Sequence, residues 1–429
     1  MNSKYALKDW LQKTKPYQGP KNLKSVWQLA NSFIPFFGLW TLAHFALNIS
    51  FWLMLPITLF AALFVVRIFI IQHDCGHGSF FKNRKLQDEV GFICGIISLT
   101  AYEDWKIDHA IHHAHSGDLD HRDIGEIPTL TVEEYLHLSR WGKLKYRCLR
   151  NPIVLFLIAP FLLFAIRQRF PKLHNKKSLK AHLSVLQTNA AIFAIALWAS
   201  WLVGWQNFLL IQIPITYFAS CFGVWLFYVQ HQFEDGYWFH KPEWNLVQSA
   251  LHGSSYFKLP KVLQWFSGNI GFHHIHHLSP LIPNYALEQC HTDNPEFEIE
   301  VTTLTLKNCW QTMKLRFWDE KEQRLVSHRD IKKYYRPQIV AIQNTLQQMR
   351  MKQKMLGAEV LSLREKLAQY IKEHQDSKDI RYHLIQNQLK TLKSHIKRRS
   401  CKRKEQLVLY GQELEQIKRS IEKYFPQIT

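Results

Sequence analysis

His109, His112 and His113 stand at i, i+3 and i+4 within residues 105–117. On a helix those positions share one face, so the spacing predicts three imidazoles converging on a point just above it. Protonated together they would repel, and buried without partners each would be costly. A metal removes both problems, because neutral imidazole is a common ligand for iron, zinc and copper. The plain alternative is a wet helix face that happens to be rich in histidine. His273, His276 and His277 repeat the spacing, however, and His73 and His77 stand at i and i+4. Eight imidazoles exceed what one ion can hold, so two metals fit the count. Ligation rich in imidazole and poor in carboxylate suits iron or copper, with zinc still open. A zinc protease is the sharpest rival, since His73-Asp74-Cys75-Gly76-His77 has the H-E-x-x-H shape with Asp in the Glu position. That reading needs one further ligand and leaves the other clusters unexplained, whereas a redox-active pair that activates O₂ uses them all.

The chain around these residues is segregated. Its 429 residues allow two to three domains, and 47% are hydrophobic and 14% aromatic. The mean hydropathy is nevertheless −0.20, so apolar and polar residues must occupy different stretches. Residues 1–28 are polar and basic and form an N-terminal cytoplasmic segment with no sign of a cleaved leader. Apolar runs at 29–49 and 51–71 each match the ~20 residues needed to cross a bilayer and form a hairpin across Asn48-Ile49-Ser50. The lysines before it and Arg67 at its end place both ends inside. A second hairpin spans about 185–204 and 208–229, with Trp198, Trp201 and Trp205 suited to an interfacial belt. The runs 90–102 and 153–166, the latter holding Pro160, are too short to span and read as interfacial or re-entrant. Four crossings put all three histidine clusters on the cytoplasmic side, whereas a fifth at 153–166 would put the last cluster outside. The fold class is therefore an all-α integral membrane protein. It has four transmembrane helices in two hairpins, interfacial helices and a cytoplasmic histidine-rich cap for two metals.

From about 336 the character changes. Leu346, Met349, Leu356, Val360, Leu363 and Leu367, then Leu389, Leu392, Ile396, Leu414, Ile417 and Ile421, recur at helical spacing among Lys, Arg, Gln and Glu. This predicts a helical, coiled-coil tail over 336–429, broken near residues 374–379. Residues 29–335 then form the membrane-bound domain. The formal charge of +20 and the basic block Lys397-Arg398-Arg399 with Lys402-Arg403-Lys404 suit a solvated face or anionic lipid headgroups. No nucleic-acid reading motif accompanies the charge. The seven Cys include no C-x-x-C pair, which argues against a disulfide framework or a thiolate zinc site and points to a reducing compartment.

The boxes HDCGH (73–77), HAIHH (109–113) and HHIHH (273–277), with the two hairpins, resemble the membrane-bound fatty acid desaturases and related hydroxylases over about residues 29–300. The flanking stretches LDHRDIGEIPTLTVEEY, QHQFEDGYW and GSSYFKLP are most similar to bacterial acyl-lipid desaturases of the delta-12 (omega-6) type. The resemblance implies two iron ions held almost wholly by histidine and reduced by an external donor of ferredoxin or cytochrome b5 type. It implies removal of hydrogen from an acyl CH₂–CH₂ with O₂ as co-substrate, giving a cis double bond and water. Matched residue by residue, it implies His73, His77, His109, His112, His113, His273, His276 and His277 as ligands. The stretch Gln248-Ser249-Ala250-Leu251-His252 is similar to the family's Asn-Ser-Ala-x-His, which makes His252 the expected ninth ligand and Gln248 a water-mediated contact. His231 is either a ligand or a donor to one. His115, His121, His274 and His291 have no matching role, and Asp74, Asp108 and Asp120 are candidates to orient ligating imidazoles. No His-Pro-Gly-Gly haem motif occurs, so the resemblance implies no fused cytochrome b5 domain. The expectation is an integral protein of the bacterial inner membrane with both termini cytoplasmic, a lipid or other acyl substrate, and self-association through the tail. A hydroxylase outcome uses the same boxes, and a membrane scaffold with a degenerate body is the reading from another class.

Overall fold

The computed structural model describes residues 7–122, 124–175 and 178–373. The chain divides into two compact units, Met1–Ile331 and Lys332–Thr429. A short amphipathic helix, α1 (Leu7–Thr14), precedes two long ones, α2 (Asn22–Leu47) and α3 (Phe51–His77). The hairpin turns at Ser50, whose Oγ accepts from the Trp52 amide and so caps α3. Ala43 and Ala46 of α2 and Ala61 and Ala62 of α3 belong to one buried cluster, and such small side chains let apolar helices approach closely. α3 is one continuous helix of 27 residues, about 40 Å long. The first histidine box is its last turns rather than a loop beyond it. Gly78, at φ 80°, ends the helix by donating to the carbonyls of Asp74 and Cys75.

Next come α4 (Arg84–Ile97), capped by the Asn83 side chain, and α5 (Tyr102–His115), which carries the second box. Gly91 and Gly95 exist here for contact: a Cβ would lie 2.4 Å from the Tyr102 ring at the first and 2.4 Å from the Thr100 carbonyl at the second. The chain continues through β1 (Leu130–Thr131), α6 (Val132–His137) and α7 (Arg140–Leu149). A π-helical turn, Val154–Ile158, then leads into α8 (Ala159–Ala165), with Pro160 in its first turn. α7 and the 154–169 stretch are bent by 53° at their junction, the geometry of a broken or re-entrant segment. α9 (Leu179–Val203) and α10 (Trp205–His231) form the second hairpin around Gly204, at φ 84°.

The cap is built from α11 (Leu246–His252), β2 (Tyr256–Lys258), α12 (Lys261–Phe266), α13 (His273–Leu278), α14 (Asn284–Asp293), α15 (Glu296–Glu300), β3 (Thr303–Thr305), α16 (Cys309–Thr312), β4 (Leu315–Asp319) and β5 (Arg324–Ser327). The strands make two small sheets, β1-β4-β5 and a parallel β2-β3 pair. A wholly helical fold is therefore not what forms, although helix dominates. Trp10, Val247, Leu251, Phe272, Ile275, Leu287 and Phe297 pack into a core behind α13 and hold its histidine face inward.

Among the described residues three helices, α3, α9 and α10, are long and apolar enough to cross a membrane, or four if the bent pair counts as one span. α2 falls short by composition because Asn31, Ser32 and His44 dilute it. Arg67, expected as a flanking charge in water, is instead buried within α3. It donates to Ser32 Oγ, Asn31 Oδ1 and the Trp265 carbonyl, and its guanidinium lies 3.9 Å from the Trp265 ring centre. It fastens the hairpin to α12. The described part of the second unit lies in the helix α17 (His328–Glu373), which includes positions 346–367 of the expected seam. The polar break at 374–379, the basic block at 397–404 and the remaining seam positions lie outside the described residues.

Candidate metal centre

Nine imidazoles from four helices meet inside the first unit, in two groups. His73, His77, His109, His113 and His276 form one, and His112, His231, His273 and His277 form the other, with the candidate donor atoms of each group within 4.8 Å of one another. Each H-x-x-H-H box straddles both groups. The i and i+4 members of α5 enter the first group and His112 enters the second, whereas α13 sends His273 and His277 to the second and His276 to the first. The three imidazoles of a box therefore do not converge on one point. The two groups abut where the rings of His113 and His277 stack at 4.2 Å.

The nitrogens show what the arrangement can hold. His113 Nε2 lies 3.2 Å from His109 Nε2 and 2.9 Å from His276 Nε2, while His273 Nε2 lies 2.8 Å from His231 Nε2 and 3.2 Å from His277 Nε2. His231 Nδ1 donates to the Gly253 carbonyl at 3.1 Å, which can only accept. In the neutral ring its proton therefore sits on Nδ1, and Nε2 presents a bare lone pair to its neighbours. His73 Nδ1 faces Asp74 Oδ1 at 3.3 Å with the same consequence. His77 Nε2 is buried with no hydrogen-bond partner. Burial first, then the neighbouring imidazoles, holds His109, His113, His273, His276 and His277 well below the ordinary histidine range, and His112 is pushed down to about 3. Neutral lone pairs aimed at each other out of water suit a bound cation in each group. The absence of thiolates fits iron or copper as well as zinc.

The other expected residues divide. Asp74 is buried beside His73 and accepts from the Asn284 amide at 2.7 Å and from Asn284 Nδ2 at 2.8 Å. The N-terminus of α14 thus steadies the first box. Asp108 instead holds Lys172, His174 and Asn175, and Asp120 holds His240 and the Lys241 amide. His252 lies outside both groups: it is about a third exposed and its Nε2 stands 4.0 Å from Glu300 Oε2. The ninth clustered imidazole is His231, at the end of α10 and opposite α13. Gln248 is half-buried on α11 beside His252 and joins neither group. His115, Asp118 and His121 make a separate surface cluster that already holds Lys241 Nζ at 3.6 Å. His274 and His291 pair at 3.3 Å within the cap. One residue the sequence did not single out is Glu126, whose Oε1 lies 3.5 Å from His112 Nδ1. It sits in an irregular loop, where no periodicity marks it.

An apolar cavity of about 640 Å³ opens against both groups, touching His73 and His109 of the first and His273 of the second. Val65, Phe69, Leu155, Leu163 and Phe227 are among its walls, and Gln212 and Thr216 of α10 line it within the helical bundle. Its size suits a small-molecule substrate, and its lining suits a hydrocarbon one.

Comparison with known proteins agrees with this geometry. The family profile described as fatty acid desaturase matches residues 50–301. A fatty acid desaturase of Bacillus subtilis (strain 168) is 48% identical over 313 residues, covering 73% of this chain and 88% of the relative. An sn-1 oleoyl-lipid 12-desaturase of Anabaena variabilis is 26% identical over 356 residues, covering 78% and 95%. An endoplasmic-reticulum omega-3 fatty acid desaturase of Vigna radiata is 28% identical over 268 residues, covering 57% and 66%. With both imidazole groups inside the matched stretch, the chain belongs to the fatty acid desaturase family.

Proposed function

We propose that this desaturase forms a cis double bond in an acyl chain of a membrane lipid lying in the 640 Å³ cavity, at a centre of two irons held by the nine clustered imidazoles. The observation that carries the reading is that one apolar cavity reaches both imidazole groups, so a methylene pair in it lies beside both metal positions. Iron bound there would supply the reducible metal that activates O₂. The chain's own residues do the rest. Val65, Phe69 and Phe227 exclude water and confine the acyl chain. Asp74 and the Gly253 carbonyl hold the Nδ1 protons of His73 and His231, keeping both Nε2 atoms free to ligate.

α2, α3, α9 and α10 would cross the bilayer, with 153–169 re-entering it. Exposed Ile34, Phe37 and Phe45 on α2 and Phe193, Trp198 and Trp201 on α9 support this, as lipid would cover them. His73 and His77 end α3 as His231 ends α10, so those helices would run toward the same, cytoplasmic, side of the bacterial inner membrane. Electrons would come from a separate carrier of ferredoxin or cytochrome b5 type, and the net positive charge suits an acidic one.

The test is expression in a host lacking polyunsaturated lipids, with fatty esters profiled and metal measured on the purified protein. A new diene and about two irons per chain are expected from the resemblance. Hydroxy acids would select the hydroxylase outcome, and stoichiometric zinc without iron would overturn the reading. His276→Ala should abolish turnover and leave membrane insertion intact.

A further inference from the structure

We propose that Glu126 is the positioning residue of the second imidazole group: it accepts a hydrogen bond from Nδ1–H of His112 and so leaves Nε2 of that ring free to ligate a metal. The inference rests on the two-metal reading above. Three observations converge on it. The first is how the loop is placed. Gly125 adopts φ +68°, and a Cβ there would meet the Asp108 carbonyl and His112 Cβ, each at 3.2 Å. The loop therefore lies directly on α5 at the turn that bears His112, which only a glycine allows. The second is the unmet need of the ring. His112 Nδ1 is buried and makes no hydrogen bond, while its Nε2 faces His231 Nε2 at 3.2 Å. A buried N–H left unsatisfied is costly, and the Glu126 carboxylate, 9% exposed, has Oε1 only 3.5 Å away. A small side-chain adjustment closes that gap to hydrogen-bond length.

The third observation is the pattern across the site. The first group has one buried carboxylate at an outward nitrogen, Asp74 on His73, and Glu126 gives the second group its counterpart. Among the described residues, each group thus has a carboxylate beside one of its rings. Such carboxylate–imidazole pairs fix the tautomer, raise ligand basicity and typically change metal affinity or activity by about 10–100-fold when broken. Glu126 also lines both the acyl cavity and a recess beside His112 and His231.

The test uses the iron-loaded full chain in detergent, with wild type, Glu126→Leu and the isosteric Glu126→Gln. Iron per chain, affinity for Co(II) by chelator competition, and the Mössbauer spectrum are measured. Glu126→Leu should keep one tightly held metal and weaken the other by about 10–100-fold. Glu126→Gln, which retains an acceptor oxygen without the charge, should hold both irons but alter the Mössbauer doublet of one. Wild-type affinity and spectrum in both variants would overturn the proposal, as would loss of both metals from the Gln variant, because the effect must be confined to one position. If Glu126→Leu loses both metals by misfolding, the Gln variant decides. Wild-type protein that does not bind two metals would instead defeat the two-metal reading.

Discussion

An imidazole serves as a ligand only when its other nitrogen has somewhere to place a proton. Both His231 and His252 meet that condition, so position separates them: only His231 lies within an imidazole group. The first donates Nδ1–H to the Gly253 carbonyl with Nε2 aimed at His273 and His112, and the second stands at the surface beside Glu300. His231→Ala should lower iron content and reduce desaturation by at least about 100-fold. His252→Ala should keep its iron and most of its activity. Metal analysis and fatty-ester profiles of the two variants check both outcomes. Spacing made the helix-face relationship within each box legible, because periodicity is local. It could not tell which of the two imidazole groups a given ring would join, since that depends on how α5 and α13 are placed across from each other. His231 and Glu126 were harder still, as each acts through a partner more than 20 residues or a whole loop away in sequence.

At the scale of elements, the two long hairpins were legible because about 20 apolar residues in a row have few other uses. The details that composition hides are where polar residues turn inward, as Arg67 does, and where short elements abut. α4 meets α5 at Gly91 and the loop before α5 at Gly95, where the Thr100 carbonyl leaves no room for a Cβ. Gly95→Ala should destabilise the protein by about 1–3 kcal/mol and loosen the second box, seen as a lower thermal midpoint in detergent and faster iron loss. The stretch before β1 is held by Arg122, whose guanidinium grips Glu134 at 2.9 and 2.5 Å. That hydrogen bonding keeps the Glu134 carboxyl below its usual range. Its contribution to stability is therefore present above the ordinary carboxylate pKa of about 4.3 and is lost as pH falls through the depressed value. Thermal unfolding between pH 3 and 6, in units of about one, should show a shallower acid decline for Glu134→Gln than for the wild type.

For the whole molecule, cavity and tail make separate expectations. Ala219 is buried on α10 and lines the cavity, so Ala219→Trp should block the acyl chain and abolish product while leaving iron content unchanged. The clustered imidazoles among the described residues all precede residue 280. Truncation after Gln338 should accordingly retain desaturation in membranes and reduce oligomer size or surface attachment. Loss of activity with iron and insertion intact would give the tail a catalytic or donor-docking role. The interleaving of α5 and α13 between the two groups also bears on how the protein is made. His73 leaves the ribosome first and His277 last. At roughly 5–20 residues per second, those two are separated by about 10–40 s. Neither group is complete before the final box emerges, so on the two-metal reading loading would wait until both hairpins have been made, and a chain stalled short of α13 lacks part of each group.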